Sequence, residues 1–225
     1  LLVLTLFVFT GLALNAQNLV LEVPIVKTGT IEDEEEEGVI IDVSTDDCEQ
    51  ENDEIDTPYD DDLDAGWEGE EGDANILTVG LRFQNITIPA GATIHSAYIK
   101  LWPHEGKSSA DVAKITITAE ATDNAETFNE TDLITERPRT SASVLWEVAE
   151  EWIIWQPYET PDLKDIVQEM INRGGWESGN AIAFILEGED QGPSDVENAR
   201  EFEAFENIAD PEDTDPDGNP GDGQN

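Results

Sequence analysis

The sequence is poor in cysteine, histidine and basic residues, and each shortage excludes a class of structure or partner. One cysteine in 225 residues, Cys48, permits no disulfide within the chain. Two histidines, His95 and His104, cannot form a multi-histidine metal site, and we interpret both as surface or strand-end residues. Ten Lys and Arg residues against 53 Asp and Glu residues give a formal charge of −43. Electrostatic repulsion therefore excludes nucleic acid and anionic membranes as partners.

The sequence also lacks the short motifs that mark common catalytic sites. It contains no GxSxG elbow, no glycine-rich phosphate loop and no HExxH pair. Carboxylates are so abundant that a pair of them cannot identify a glycosidase, which needs a fixed separation across a cleft. We therefore expect a protein that is not an enzyme, and keep an acidic polysaccharide-degrading enzyme as the second alternative.

Negative charge is concentrated in two blocks. Residues 32–73 hold 22 acidic residues and no basic one, and residues 187–225 hold 14 acidic residues and Arg200. Such blocks are typically solvated loops or tails unless cations neutralise them. We predict a single domain over 18–225 that carries an acidic insertion at 42–73 and an acidic tail at 209–225.

The N-terminus has the pattern of an export signal. Residues 1–16 are apolar and uncharged, and Gln17 and Asn18 follow them. This run is shorter than the ~20 residues that span a membrane. We predict that residues 1–17 are a secretory signal peptide, with retention as a strand as the alternative, and that the protein is secreted and has no membrane span.

Alternating apolar residues predict strands through the rest of the chain, together with one helix. The predicted strands lie at 19–26, 38–43, 77–88, 93–102, 114–121, 143–147 and 180–186. Apolar residues spaced as i, i+3, i+4, i+7 and i+8 from Leu163 predict an amphipathic α-helix over about 161–173, with Thr160 as its cap and Pro161 in its first turn. The fold class is mainly all-β: an antiparallel β-sandwich, jelly-roll-like, with one inserted helix.

Five stretches of this sequence are similar to a known class of secreted bacterial modules. They are VGLRFQNITIPAGATIHSAYIKL (79–101), ITITAEATDNAETF (115–128), RPRTSASVLWEV (137–148), TPDLKDIVQEMINRGGWESGNAIAFILEG (160–188) and AREFEAFENIADPED (199–213). In order and content they resemble the DNRLRE-type β-sandwich modules of multidomain cell-surface and sorting-signal proteins. The resemblance implies a non-catalytic extracellular module of a bacterial cell surface, and some relatives are regarded as carbohydrate-binding. It also implies a final apolar strand, and residues 214–225 contain no apolar run. Either the sequence is a fragment of a longer chain, or something else completes the sheet.

Two acidic segments are candidates for calcium sites. In 213–219 oxygen ligands fall at positions 1, 3 and 5 with glycine at position 6, as at the start of a calcium loop. The second candidate is the aspartate run that begins at residue 60. The predicted ligands of Ca²⁺ are Asp60, Asp61, Asp62, Asp64, Asp213, Asp215, Asp217 and Asn219, and solvated acidic loops are the alternative for both segments.

Aromatic residues at 146–158 are candidates for stacking on sugar rings. Trp146 shares the parity of Val144 and Val148, so we assign it to the core. Trp152, Trp155 and Tyr158 fall between predicted strands and are the predicted ligand-binding residues, with packing at the sandwich edge as the alternative.

These observations lead to one leading hypothesis and one rival of a different class. The leading hypothesis is a calcium-stabilised extracellular module for cell-surface adhesion, whose partner is a glycan or another cell-surface protein. The rival is a self-assembling filament subunit, in which a neighbour's N-terminal strand, from 3–10 or 19–26, replaces the missing closing strand.

Overall fold

The computed structural model describes residues 20–22, 39–41, 43–56, 62–70, 73–154, 156–192 and 197–205. Within these residues the chain forms twelve strands, one α-helix and two short 3-10 turns. The strands are β1 (Val20–Glu22), β2 (Val39–Ile40), β3 (Asp47–Glu51), β4 (Glu54–Ile55), β5 (Asp62–Glu70), β6 (Asp73–Ile86), β7 (Tyr98–Leu101), β8 (Ala113–Ala119), β9 (Val144–Val148), β10 (Tyr158–Glu159), β11 (Asn180–Gly188) and β12 (Asn198–Glu203). The helix, α1, is Lys164–Ile171.

The described strands form two sheets in which every pairing is antiparallel. The smaller sheet has the order β10-β7-β1-β2. The larger has the order β12-β5-β6-β11-β8-β9; in addition, β3 pairs with β6, and β4 pairs with β3. The mainly all-β fold with antiparallel sheets and one helix is therefore confirmed.

Strand β11 lies at the centre of the larger sheet and is buried on both faces. Ile182, Phe184 and Leu186 face the main core between the sheets. Ala183 and Ile185 face a second, smaller cluster that contains Phe128, Ile134 and Cys48. Burial on both faces explains why this strand is almost continuously apolar in sequence.

The helix is confirmed, but it begins later than the predicted 161–173. Ile166, Val167, Met170 and Ile171 are buried, as the periodicity predicts. Thr160 does not cap α1, since Leu163 precedes the first helical residue, and the Thr160 hydroxyl accepts a hydrogen bond from the Ile99 N–H at 3.0 Å. The Asp162 carboxylate instead accepts from the N–H groups of Lys164 and Ala97, which ties the start of the helix to the smaller sheet.

The acidic stretch 42–73 is not a loop throughout, contrary to our expectation. It contains β3, β4 and the whole nine-residue strand β5. Leu63, Ala65 and Trp67 alternate along β5 and are buried, and this apolar alternation holds the strand in the sheet. Burial of these three side chains outweighs the tendency of the acidic residues to remain solvated.

Other predictions concern the ends of the chain. The signal peptide at 1–17, the acidic tail at 209–225 and the donor segment 3–10 lie outside the described residues. Val20–Glu22 pairs with β2 and β7 of its own chain, so in this structure the described part of segment 19–26 is not donated to a neighbour. No helix among the described residues is long and apolar enough to cross a membrane.

Candidate cation-binding face

Strands β5 and β12 bring four carboxylates onto one face of their ladder. In the antiparallel register Glu201 lies directly opposite Asp64, and Glu203 lies directly opposite Asp62. We call these four residues the acidic face. Like charges directly opposite each other destabilise a strand pair, so two such pairs side by side need a counter-charge.

The register of this ladder is fixed by a buried apolar pair and by the close approach of the two strands at one glycine. Leu63 pairs with Phe202, and both side chains are buried in the main core. Gly66 has a φ of +143°, and a Cβ at this position would lie 2.4 Å from the carbonyl oxygen of Asn198. Only glycine therefore permits the close approach of the two strands, and a one-residue slip would place the carboxylates in the core.

His104 is brought to the acidic face by the segment that follows β7. This segment runs alongside β12, where the His104 N–H donates to the Glu201 carbonyl at 3.2 Å and Pro103 bridges Phe202. The imidazole Nδ1 lies 3.3 Å from Glu203 Oε2, and Nε2 lies 3.7 Å from Glu201 Oε1. The His104 side chain is 11% exposed and lies just after the end of β7, whereas His95 is exposed.

Strand β3 contributes a fifth carboxylate. Glu49 is buried, and its Oε2 accepts a hydrogen bond from the Asp64 N–H. Burial raises the pKa of Glu49 to about 9, and the neighbouring charge of Asp64 adds to this shift. At neutral pH Glu49 therefore holds a proton unless a cation replaces it.

The acidic face itself shows the same electrostatic conflict. Burial, followed by the charge of Asp62, raises the pKa of Asp64 to about 7. Burial and the charge of Asp64 also raise the pKa of Glu201 above its usual range. For His104, burial lowers the pKa, but the hydrogen bond and charge of Glu203 outweigh it and the net shift is upward. Protons are thus the counter-charge of the face when no metal ion is present.

Three side chains at one corner of this face are close enough to hold a single metal ion. One ligand atom each from Asp62, His104 and Glu201 lies within 4.8 Å of the others. Two carboxylate charges at this separation repel each other by roughly 3 kcal/mol at an effective dielectric constant of about 20. A divalent cation between them would convert that repulsion into attraction.

The predicted calcium ligands are only partly within the described residues. Asp62 and Asp64 lie on the acidic face, on the same side of β5. Asp60, Asp61, Asp213, Asp215, Asp217 and Asn219 lie outside the described residues. Sequence reasoning missed Glu49, His104, Glu201 and Glu203 as their companions.

The structure corrects the prediction that Trp152 is an exposed stacking surface. Trp152 is 1% exposed and lies in the main core, where its ring stacks on that of Tyr158 with the centroids 5.0 Å apart. Tyr158 is half-buried, and its hydroxyl donates to the Glu151 carbonyl. Trp155 lies outside the described residues, and Trp146 is in the core as predicted. The sequence does not reveal this burial, because the backbone of Trp152 bridges that of Lys107, which lies 45 positions earlier in the chain.

A surface groove of about 570 Å³ lies next to Trp152. Its lining residues are Gly106, Lys107, Ser108, Glu151, Trp152, Ile153 and Ile154. Ile153 is 44% exposed there, and Lys107 forms an ion pair with Glu197. The groove is shallow and open to solvent, and both polar and apolar groups line it.

No known protein-family model matches this chain, and a search of curated proteins finds no significant match. The resemblance to DNRLRE-type modules therefore stays a prediction from the sequence.

Proposed function

We propose that the chain is a non-enzymatic extracellular β-sandwich module of a bacterial cell surface, and that Ca²⁺ bound at its acidic face stabilises the fold. The observation that carries this proposal is the register of β5 and β12, which sets Asp64 opposite Glu201 and Asp62 opposite Glu203. Export and cell-surface location rest on the sequence pattern of residues 1–17 and on the family resemblance.

A bound cation accounts for features that are costly without one. Asp64 Oδ1 is buried and accepts no hydrogen bond from any side chain or N–H group in the described part of the chain. A carboxylate oxygen in this state is costly to desolvate, and Ca²⁺ takes six to eight oxygen ligands from carboxylates, carbonyls and waters. A cation that binds only the folded state stabilises it by mass action.

The role in adhesion is proposed for the groove next to Trp152, with a glycan or another cell-surface protein as the partner. Hydrogen bonds can form with the polar groups of Lys107, Ser108 and Glu151. Apolar contact can form with the exposed side chain of Ile153. Trp152 supports the floor of this groove from within the core and offers no free ring face.

Thermal unfolding tests the calcium proposal. We expect Ca²⁺ to raise the Tm of the wild type more than sodium chloride of equal ionic strength does, and more than Mg²⁺, which demands stricter geometry. Asp64→Asn and Glu201→Gln should lose most of this increment, whereas Glu130→Gln, at an exposed position, should keep it. Equal stabilisation by sodium chloride, or an unchanged increment in the two variants, would overturn the proposal.

Binding to a glycan array and to immobilised cell-surface proteins tests the adhesive role. Ile153→Asp should abolish binding, because it places a charge in the groove at an exposed position. Leu145→Asp is the matched control, since Leu145 is 50% exposed on β9 and does not line the groove. Binding that persists in Ile153→Asp, or the absence of any bound partner, would contradict the proposed adhesive role.

A further inference from the structure

The imidazole of His104 lies against one corner of the acidic face and offers a nitrogen, which calcium sites do not use as a ligand. Calcium is bound by oxygen, whereas imidazole nitrogen together with carboxylate oxygen suits Zn²⁺ and related transition metals. His104 is therefore the residue that distinguishes this corner from an ordinary acidic cluster.

The distances at this corner are close to those between ligands of one shared ion. His104 Nε2 and Glu201 Oε1 are 3.7 Å apart, which is too long for a hydrogen bond. Zinc bonds to nitrogen and to carboxylate oxygen are each about 2.0–2.2 Å long, so two ligands of one tetrahedral ion lie roughly 3.4 Å apart. The third ligand atom, from Asp62, lies within 4.8 Å of the other two. Side-chain movements of about 1 Å would bring all three ligand atoms to bonding distance of one ion.

Glu203 holds the imidazole in the orientation that such a site needs. Its Oε2 lies 3.3 Å from His104 Nδ1, on the opposite side of the ring from Nε2. A carboxylate that accepts the Nδ1–H directs the lone pair of Nε2 to the metal, and this arrangement is usual around metal-binding histidines. Asp64 lies directly opposite Glu201 in the ladder, and its Oδ1 is buried and takes no hydrogen bond from the described residues.

We propose that Asp62, His104 and Glu201 bind a divalent transition metal of the Zn²⁺ class, with Glu203 as the residue that positions His104. The inference rests on the cation-binding role proposed above for the acidic face, and it names a second class of ion for one corner of that face. Solvent or the Asp64 carboxylate supplies the remaining coordination.

Cobalt substitution tests the proposal, because Co²⁺ takes Zn²⁺ sites and its visible absorption reports nitrogen ligation and coordination number. The full chain, freed of Ca²⁺, is titrated with Co²⁺, and Zn²⁺ is then added as a competitor. We expect one saturating cobalt spectrum that Zn²⁺ abolishes. His104→Gln should lose it, and His95→Gln, which changes the chain's other histidine, should retain it.

Two further variants keep the test independent of folding defects. Glu201→Gln preserves the shape of the side chain and should also lose the cobalt spectrum while circular dichroism remains that of a β-sheet protein. Glu203→Gln should retain the spectrum but weaken Zn²⁺ binding about 10- to 100-fold, the usual effect of losing a carboxylate behind a ligating histidine. A cobalt spectrum that persists in His104→Gln, or none in the wild type, would overturn the inference.

The outcomes separate this inference from the proposed function. Calcium stabilisation without a histidine-dependent cobalt spectrum would leave the function standing and remove the transition-metal site. A histidine-dependent spectrum without calcium stabilisation would leave the transition-metal site standing and remove the proposed calcium-stabilised function.

Discussion

The buried carboxylate of Glu49 predicts how the stability of the metal-free protein changes with pH. The pKa of Glu49 is about 9 in the folded chain, against 4.5 for an ordinary glutamate. Between these two values the folded state binds the proton and the unfolded state does not. The contribution of Glu49 to stability is therefore intact below about pH 4.5 and is lost progressively as the pH rises to about 9.

The size of the effect follows from proton linkage. One fully linked group changes the free energy of unfolding by about 1.4 kcal/mol per pH unit. Asp64, whose pKa is about 7, contributes to this slope mainly below neutrality. From pH 7 to 8.5 the contribution of Glu49 amounts to about 2 kcal/mol, a large share of the 5–15 kcal/mol that stabilises a typical domain.

Urea unfolding in a chelating buffer at several pH values between 5 and 9 measures this slope. Glu49→Gln should make it shallower above pH 7, because glutamine keeps an acceptor for the Asp64 N–H and does not ionise; Glu201 and His104, whose pKa values are also raised, account for the remaining slope. Glu51→Gln, at an exposed position on the same strand, should leave the slope unchanged. Parallel curves for the wild type and Glu49→Gln would refute the reasoning.

Three shorter predictions concern buried groups outside the acidic face. Cys48 is fully buried, and burial raises its pKa to about 12, so a thiol reagent should modify it only after denaturation; rapid labelling of the native protein would contradict this. Arg82→Met should cost about 3–5 kcal/mol in urea unfolding, because it leaves the buried carboxylate of Asp46 without its ion-pair partner, and a loss below 1 kcal/mol would argue against that pairing. Trp152→Ala should cost about 3–5 kcal/mol by opening a core cavity beside Tyr158, whereas an exposed ring would cost far less.

The central strands and the helix could be predicted from the sequence because each has an apolar period of its own. Strand β11 is one continuous apolar run, and β8 alternates through Ile115 and Ile117. Strand β5 was not predicted, although Leu63, Ala65 and Trp67 alternate along it, because acidic blocks are usually solvated loops and its alternation consists of only three apolar residues.

The candidate site could be predicted only in part for a different reason. Asp62 and Asp64 stand out as an acidic run, but the residues opposite them are 137 or more positions later in the chain. Their proximity depends on the register of β5 with β12, which no local pattern encodes. His104 reaches the face through the path of the segment after β7, and only the fold reveals that path.

Anomalous diffraction from crystals soaked separately in Ca²⁺ and Zn²⁺ is the most direct test of the claim that the acidic face binds cations. The account predicts an ion in contact with carboxylate oxygens of Asp62 and Glu201, with His104 as a ligand in the Zn²⁺ crystals. An acidic face that binds neither ion, with Glu201 still in place beside His104, would contradict it.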